Sequence, residues 1–370
     1  ETLEVGERQR VEIIKVLFRG AKVLILDEPT AVLVPQEVEE LFRNLRELKS
    51  RGHTIIFIDH KLEEVLAIAD TITVLRQGRT VATVDPGDVT AHELAELMVG
   101  SELPAPSTEP RTADEHVTLS IRNLTVAGTD GRPAVDAVDL DVHRGEIIGV
   151  AGVEGNGQGA LIEAILGLRP TSEGELLLDG ESITDWPVRK RREAGIGYVP
   201  EDRHRRGLLL DAPLWENAML GHQTQPPYAK GPWLDRSGAR EATARIVADF
   251  DVRTPGIDTS ARALSGGNQQ KLVIGREMLA GPRMLVAAHP TRGIDVGAQA
   301  AVWEDLRAAR RDGLAVLLVS ADLEELIGLA DRLVVMLRGR IVAELDPTTT
   351  TPRLLGGYMT GAVDEEASTS

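Results

Sequence analysis

The sequence predicts an α/β fold that contains two related copies of one domain. An offset of 261 positions aligns Leu3 with Leu264, and the same offset aligns Pro29-Thr30 with Pro290-Thr291. Short apolar runs such as Val23–Leu26 are typical of strands that are buried on both faces of a parallel sheet. Amphipathic helical patterns follow these runs, and alternating strands and helices indicate a mostly parallel sheet.

The repeat continues well beyond these first matches. Leu62-Glu63-Glu64 aligns with Leu323-Glu324-Glu325, and Ala69-Asp70 aligns with Ala330-Asp331. An ungapped match of this length does not arise by chance, so the chain is predicted to hold one whole domain and the second half of another. The chain begins with Glu1 inside a repeated motif, and we therefore expect the first copy to be incomplete.

Composition excludes several classes of protein. The net charge of -17 argues against a nucleic-acid binder, whose footprint is a basic face. With 0 cysteines, the chain has neither a disulfide scaffold nor a Cys-ligated metal site. A hydrophobic share of 42% is sufficient for packed cores. No apolar run reaches the length of a membrane span, and no signal peptide is visible.

The first copy carries its candidate chemistry at the ends of two predicted strands. Val23–Leu26 is followed by Asp27-Glu28, and Thr54–Ile58 is followed by Asp59-His60. Ligands of open α/β sheets bind at the carboxyl ends of the strands. The plainer alternatives are an acidic turn for the carboxylate pair and an ordinary surface or core residue for the histidine.

Proline content and periodicity suggest the domain boundaries. The first copy is assigned to residues 1–100, which end with a hairpin around Gln77-Gly78 and a helix at Val89–Val99. Residues 101–116 contain three prolines without an apolar period, which predicts a linker. The second copy is assigned to residues 117–362, and residues 363–370 are predicted to be a loose acidic tail.

The second copy has a strand, a glycine-rich loop and a helix in succession. The spacing is that of a P-loop, where a glycine and four further residues precede Gly-Lys-Ser/Thr. Gln158 stands at the lysine position and Gly159 at the hydroxyl position, so the lysine charge and the Mg²⁺ ligand are lost. The backbone cradle remains and could still bind phosphate. An ordinary strand–turn–helix is the plainer alternative. The other candidate cradle residues are Gly152, Gly155 and Gly157.

A serine and two glycines precede a helix that is predicted over Gln270–Leu279. Ser265 has the hydroxyl of an N-cap, and Gly266-Gly267 permit close approach of the backbone to a ligand. Free N–H groups and the helix dipole favour an anion at such a helix start. The first copy has Glu4-Val5 at the matching positions, and a carboxylate there would repel a phosphate.

These motifs together resemble those of ABC-type ATPases. Leu264–Gln270 is similar to the signature motif of that family, Asp27-Glu28 to its Walker B pair, and His60 to its switch histidine. The resemblance implies a P-loop NTPase core with a mostly parallel sheet, an antiparallel β subdomain and a helical subdomain within Leu208–Asp258. It also implies ATP and Mg²⁺ as ligands. Asp27 would hold Mg²⁺ through water, Glu28 would orient the attacking water, and His60 would contact the γ-phosphate.

The catalytic residues of the first copy are missing from the second. The offset places Ala288 opposite Asp27, His289 opposite Glu28, and Ala321 opposite His60. In ABC ATPases, each ATP lies between the P-loop and Walker B of one domain and the signature of the other. The resemblance therefore implies one hydrolytic site and one degenerate site. The hydrolytic site would combine Asp27, Glu28 and His60 with Ser265, Gly266, Gly267, Asn268 and the D-loop residue Asp295. The degenerate site would combine the loop Gly152–Ala160 with Glu4-Val5-Gly6.

Further positions complete this interpretation. Because the P-loop of the first copy is missing from the sequence, we expect the chain alone to hydrolyse ATP poorly or not at all. Glu201 stands where active domains usually carry the glutamine of the Q-loop. The basic runs Arg189–Arg192 and Arg203–Arg206 are interpreted as solvated faces, with a partner or lipid contact as the alternative.

The resemblance is closest to the tandem ATPase subunits of simple-sugar and nucleoside importers. Gly152–Gln158 and Val199–Arg203 are most similar to the nucleoside branch. This implies a peripheral location on the cytoplasmic side of the cell membrane, two membrane-spanning permease subunits, and an extracytoplasmic substrate-binding protein that acts indirectly. It also allows a homodimer of tandem subunits, and no nucleic acid is expected.

Two alternatives to an importer remain open. A soluble tandem ABC protein that acts on ribosomes would keep both sites intact and carry a charged linker, whereas here one site is lost and the linker is short. A non-catalytic regulatory or decayed fragment is the other alternative.

Overall fold

The computed structural model describes residue 15 and residues 20–30, 33, 35–59, 61–76, 78–99, 114–128 and 131–361. The chain divides into two compact units, residues 1–107 and residues 108–370. Several sequence predictions lie outside the described residues. They are the altered signature at Leu3–Gly6, the candidate catalytic residue His60, residues 101–113 of the predicted linker and the acidic tail.

The first unit combines a parallel strand pair with an antiparallel one. In chain order its described elements are β1 (Val23–Asp27), α1 (Pro35–Ser50), β2 (Thr54–Ile58), α2 (Leu62–Ile68), β3 (Ile72–Arg76), β4 (Arg79–Val84) and α3 (Ala91–Val99). β1 pairs with β2 in parallel, and β3 pairs with β4 in an antiparallel hairpin. The apolar side of α1 packs on the first pair, with Leu45 only 1% exposed.

The second unit has a larger set of elements, which fall into three stretches. The first comprises β5 (Val117–Ala127), β6 (Pro133–His143), β7 (Ile147–Ala151), α4 (Gln158–Leu166), β8 (Glu173–Leu178), β9 (Glu181–Ser182), α5 (Val188–Glu193) and β10 (Ile196–Val199). The second comprises α6 (Leu214–Ala218), β11 (Ala229–Lys230), β12 (Trp233–Leu234), α7 (Arg236–Asp249) and α8 (Gly266–Leu279). The third comprises β13 (Met284–Ala288), α9 (Val296–Arg311), β14 (Ala315–Val319), α10 (Leu323–Leu329), β15 (Arg332–Leu337), β16 (Arg340–Leu345) and α11 (Pro352–Thr360).

A six-stranded sheet forms the centre of the second unit, in the order β10-β13-β14-β7-β15-β16. Its neighbours are parallel except at β16, which runs antiparallel to β15. A separate antiparallel sheet has the order β6-β5-β8-β9. One apolar core lies between this sheet, α4 and the central sheet, and a second core packs α8 to α11 on the other side. The predicted mostly parallel α/β architecture with an antiparallel β subdomain is confirmed.

The offset of the sequence repeat also relates the elements of the two units. β2 matches β14, α1 matches α9, α2 matches α10, and α3 matches α11 at both ends with a shift of 261 residues. The strand register repeats as well, since Val23 lies opposite Thr54 and Met284 lies opposite Ala315. In the described part of the chain, no helix is long and apolar enough to cross a membrane.

Candidate functional site

In the first unit, two carboxylates stand at the carboxyl end of β1. Asp27 is the last residue of the strand, and Glu28 follows in a left-handed backbone conformation with φ of 46°. The Glu28 N–H donates to Ile58 O at 2.8 Å, which ties this turn to the end of β2. A left-handed backbone costs about 1 kcal/mol or more for a residue other than glycine, and such residues cluster at functional sites. Both side chains are exposed, which leaves them available to a ligand.

A second set of bonds fixes the loop beside these carboxylates. Thr30 Oγ1 donates to Asp59 Oδ2 at 3.0 Å, and the Lys61 N–H donates to Asp59 Oδ1 at 3.1 Å. The Asp59 carboxylate therefore joins the segment after β1 to the segment after β2.

The second unit repeats the turn but presents an imidazole. His289 has φ of 46°, and its N–H donates to Val319 O at 2.7 Å. The Ala321 N–H donates to His289 Nδ1 at 3.2 Å, so the ring proton is on Nε2. Burial lowers the pKa of His289, which favours this neutral form. The imidazole therefore has no nitrogen left that can accept a proton from a water in this arrangement.

The signature turn, Ser265–Asn268, is built around a helix cap. α8 begins at Gly266, four residues before the predicted start, because Ser265 is its N-cap and accepts the Asn268 N–H at 3.5 Å. The Asn268 side chain donates to Ser265 Oγ at 2.9 Å and accepts the Arg253 N–H at 2.8 Å. The two glycines thus form the first turn of the helix, where its unpaired N–H groups favour an anion.

The D-loop, Arg292–Asp295, packs directly on this turn. A methyl group at Gly266 would lie 2.9 Å from Gly293 O, and one at Gly267 would lie 2.7 Å from the Ala298 side chain. Asp295 caps α9 by accepting the Ala298 N–H at 3.0 Å. Gly266 is required because it touches the D-loop backbone, and Gly267 because it touches the Ala298 methyl group. The structure therefore brings Ser265, Gly266, Gly267, Asn268 and Asp295 together.

The glycine-rich loop between β7 and α4 forms the predicted cradle. Gly157 has φ of 110°, and a side chain there would meet Ala134 O at 2.4 Å. The Gln158 side chain folds back into the loop, where its Nε2 donates to Val153 O at 3.3 Å and lies 2.1 Å from a methyl group placed on Gly152. The residue at the lysine position therefore bonds to the loop itself. Gly155 and Gly159 have open space around them.

The two units differ in the side-chain oxygens that they offer to Mg²⁺, which prefers carboxylate and hydroxyl ligands. In the second unit, Gly159 and Ala288 offer no side-chain oxygen, and the Glu201 carboxylate is paired with the Arg292 guanidinium. That cradle does not fit the metal. In the first unit the exposed Asp27 carboxylate at the end of β1 fits it by its chemistry.

The prediction of solvated basic runs was wrong for several residues. Arg191 is 2% exposed and donates to Ala164 O at 2.6 Å and to Thr184 O at 2.7 Å. Arg192 donates to the buried Glu277 carboxylate at 3.0 Å. Arg203 donates to main-chain carbonyls of the D-loop. Sequence reasoning missed these contacts because a run of like charges gives no sign of its tertiary partners.

One groove lies away from all of these residues. It has a volume of about 760 Å³ and is lined by residues such as Arg144, Asp249, Arg283 and Leu314. Arg283 and Leu314 precede β13 and β14, so the groove lies at the amino ends of the strands, whereas the predicted site residues follow the carboxyl ends. We therefore place no nucleotide there.

Comparison with known proteins agrees with these motifs. The model of the ABC transporter family matches residues 1–31 and 135–292. The chain is 46% identical over 366 residues to the guanosine import ATP-binding protein NupO of Bacillus subtilis (strain 168), which covers 99% of this chain and 72% of that protein. It is 44% identical over 359 residues to the nucleoside import ATP-binding protein NupA of Lactococcus lactis subsp. cremoris, which covers 97% of this chain and 71% of that protein.

A solved structure supports the fold. A nucleotide-free ATP-binding cassette from an ABC transporter superposes with a TM-score of 0.55 at 23% identity, over 62% of this chain and 91% of that one. The identity to NupO and NupA extends over nearly the whole chain and includes both units. The chain therefore belongs to the ABC transporter family, as one of its ATP-binding subunits.

Proposed function

We propose that this chain energises the import of a nucleoside or a simple sugar across the cell membrane. The relatives named above are a guanosine and a nucleoside importer component, and a further relative, at 41% identity, is the ribose import ATP-binding protein RbsA 1 of Streptomyces avermitilis. Nucleoside is the favoured cargo because the guanosine import protein, at 46% identity, is the most similar of these three relatives. The cargo itself would bind to other subunits.

One observation carries the mechanism that we propose. Two turns with the same backbone end in Asp27-Glu28 in the first unit and in Ala288-His289 in the second. The intact signature turn, in contrast, belongs to the second unit. We infer that hydrolysis uses the carboxylates of the first unit with the Ser265 turn of the second, and that the other site retains at most nucleotide binding.

Each residue then has a defined task. The Glu28 carboxylate accepts a hydrogen bond from the attacking water and orients it toward the γ-phosphate, with His60 as a second contact to that phosphate. The Ser265 hydroxyl and the first N–H groups of α8 receive phosphate oxygens. Asp27 would hold Mg²⁺, which neutralises charge on the phosphates when it is bound. Asp295 keeps the D-loop against the signature turn by capping α9.

An exposed apolar face of the first unit supports a two-part site. The exposed set is Val23, Ile25, Ile56 and Ile58, at 53%, 66%, 47% and 48%. The matching set in the second unit is Met284, Val286, Leu317 and Val319, at 0%, 0%, 0% and 4%. In the second unit α4 and the antiparallel sheet cover this face. We infer that a P-loop segment like residues 147–166 covers the exposed face in the assembled subunit and supplies the missing cradle.

The proposed activity requires partners and a location. Two membrane-spanning permease subunits would couple hydrolysis to transport, and an extracytoplasmic substrate-binding protein would deliver the cargo. The subunit would lie on the cytoplasmic face of the cell membrane, and two tandem subunits could pair as a homodimer. We expect no role for nucleic acid.

The test uses a pair of variants at matched turns of the full-length subunit. Glu28→Gln should lower the turnover of ATP by roughly 10²- to 10⁴-fold, because it removes the group that orients the water, while ATP binding persists. His289→Gln should leave turnover within about twofold, because the neutral imidazole is not used. Steady-state hydrolysis and equilibrium nucleotide binding measure the two effects. An equal loss of turnover in both variants would refute the asymmetric assignment.

A further inference from the structure

We propose that Arg203 is a positioning residue that holds the D-loop against the signature turn, so that the two move as one body. The proposal rests on the function proposed above, because it concerns the lid of the hydrolytic site. Arg203 lies just after β10, within a π-helical turn at Arg203–Gly207. Turns of this type recur at functional sites.

The guanidinium group of Arg203 joins two segments that are far apart in the chain. Its Nη1 donates to Arg292 O at 2.8 Å, and its Nη2 donates to Gly293 O at 3.1 Å. Its Nε donates to Gln269 Oε1, on α8, at 3.3 Å. The three donors belong to one rigid planar group, so the D-loop carbonyls and the signature helix are held at a fixed separation. A lysine has no comparable fork.

Gln269 connects this contact to the signature turn. Its side chain is 5% exposed, and its own N–H donates to Ser265 O at 2.9 Å, which closes the first turn of α8. Its Nε2 donates to Ala261 O at 3.0 Å, which prevents the amide from turning away. Gln269 therefore links the guanidinium group of Arg203 to the cap residue Ser265.

The space between the two segments is already filled. A methyl group at Gly266 would lie 2.8 Å from Arg203 Nη2 as well as 2.9 Å from Gly293 O. The glycine, the guanidinium and the D-loop carbonyl therefore touch one another. Close packing of this kind allows no independent shift of one partner.

The backbone around Arg203 is also fixed. Asp202 Oδ1 accepts the N–H groups of His204 at 3.0 Å and Arg205 at 3.1 Å. Glu201 pairs with the Arg292 side chain, so the segment after β10 contacts the D-loop through a side chain as well as through the carbonyls. The same short segment thus contacts both parts of the proposed lid. Without Arg203, the D-loop would shift relative to Ser265 while ATP could still bind.

The experiment compares Arg203→Ala, Arg203→Lys and the neighbouring Arg205→Ala in the full-length subunit. Arg205 is exposed and carries the same charge, so it is the matched control. We expect Arg203→Ala to lower kcat by roughly tenfold to a hundredfold, with KM for ATP changed less than about threefold. Arg203→Lys should remain impaired, because an ammonium group cannot bridge the three acceptors. Guanidinium chloride at low millimolar concentration should restore part of kcat in Arg203→Ala alone.

The outcomes separate this proposal from the function on which it rests. If Glu28→Gln keeps wild-type turnover, the proposed function and the positioning role of Arg203 are both wrong. If Glu28→Gln is inactive but Arg203→Ala hydrolyses ATP as fast as Arg205→Ala, the positioning role is overturned and the proposed function stands. A lower Tm in Arg203→Ala, without rescue by guanidinium, would show a purely structural residue and would also overturn the proposal.

Discussion

At the end of β1 the first unit turns through Glu28 with φ of 46°, and at the matching end of β13 the second unit turns through His289 with the same φ. Both turns donate an N–H to the end of the neighbouring strand, to Ile58 O at 2.8 Å and to Val319 O at 2.7 Å. The backbone of the site is therefore the same in the two copies. The difference lies in the side chains, since a carboxylate can accept a hydrogen bond from water, whereas Nδ1 of this half-buried imidazole already accepts the Ala321 N–H. The two copies therefore share the backbone of this turn and differ in the side chain that it presents.

A similar contrast occurs at a second pair of matched carboxyl groups, of which Glu325 is buried and Glu64 is half-buried. In the second unit, Thr291 Oγ1 donates to Glu325 Oε1 at 2.7 Å, and Trp303 Nε1 donates to the same oxygen at 3.1 Å. In the first unit, the matching Glu64 has a hydrogen bond with Thr30 and, in addition, Lys61 Nζ at 3.3 Å. Phe42 replaces the tryptophan there and offers no donor. The first copy thus has a cation beside this carboxylate, whereas the second has Asp322 at the position of Lys61 and a tryptophan donor in addition to the threonine.

The largest expected effect concerns Glu277 of α8, where the offset places Val16 in the first copy. The Glu277 carboxylate is 0% exposed and accepts bonds from Arg276 at 2.9 Å and Arg192 at 3.0 Å. Burial opposes its charge, but Arg276, His222 and Arg192 outweigh burial and lower the pKa of Glu277 well below its usual value. Glu277→Gln should lower the free energy of unfolding by about 3–5 kcal/mol, because it leaves buried guanidinium groups without their counter-charge. Denaturant unfolding at neutral pH measures this.

An exposed glutamate provides the control for this prediction. Glu193 pairs with Arg189 across one helical turn on the surface, and Glu193→Gln should cost no more than about 1 kcal/mol. The loss of unfolding free energy caused by Glu277→Gln should also be smaller at acid pH. Because the pKa is lowered in the folded state, the stabilisation is present above the usual value of 4.5 and is lost as the pH falls below it. Equal effects of the two substitutions at neutral pH would contradict the buried network.

The repeat and the strand ends were predictable from sequence, whereas the partners of buried charges were not. The bounds of β2, Thr54–Ile58, followed from its apolar run, because hydrophobic period reports local structure directly. The start of α8 at Gly266 was missed, since glycine is a weak helix former and the cap contact with Ser265 is what sets the boundary. Arg191 and Arg203 were assigned to solvent because charge alone carries no information about tertiary contacts. The interpretation of Asp27, Glu28 and His60 as catalytic stays a prediction.

The next prediction concerns the free energy of unfolding, which should depend on pH in opposite directions for Glu277 and Glu325. Burial raises the pKa of Glu325 to about 7. The hydrogen bonds from its neighbours lower this pKa, but burial outweighs them. The folded state therefore keeps this proton while the unfolded state loses it, and stability falls as the pH rises from the usual 4.5 toward 7. The loss should reach at most about 3 kcal/mol for a shift of this size. Glu325→Gln should remove that part of the pH dependence.

The matched variant at this position is Glu64→Gln in the first copy. Burial also raises the pKa of Glu64, but Lys61 lowers it, so the pH dependence that it removes should be smaller. Unfolding of each variant and of the wild type between pH 5 and pH 8 provides the measurement. If Glu325→Gln unfolds with the same pH profile as the wild type, the raised pKa of Glu325 in the folded state is contradicted.

The smallest expected effects come from two glycines in the first turns of helices of the second unit. Gly266→Ala places a methyl group 2.9 Å from the backbone oxygen of Gly293, which forces the D-loop away from the signature turn and should lower ATP turnover by about tenfold. Gly159→Ala, near the start of α4, meets nothing within 4 Å and should stabilise the helix by up to about 1 kcal/mol without changing turnover. Steady-state hydrolysis and thermal unfolding of the full-length subunit distinguish these results. A loss of turnover in Gly159→Ala as large as that in Gly266→Ala would mean that the cradle of the second unit takes part in hydrolysis. The proposed contrast between the two copies would then be wrong, because Gly159 belongs to the site that is proposed not to hydrolyse ATP.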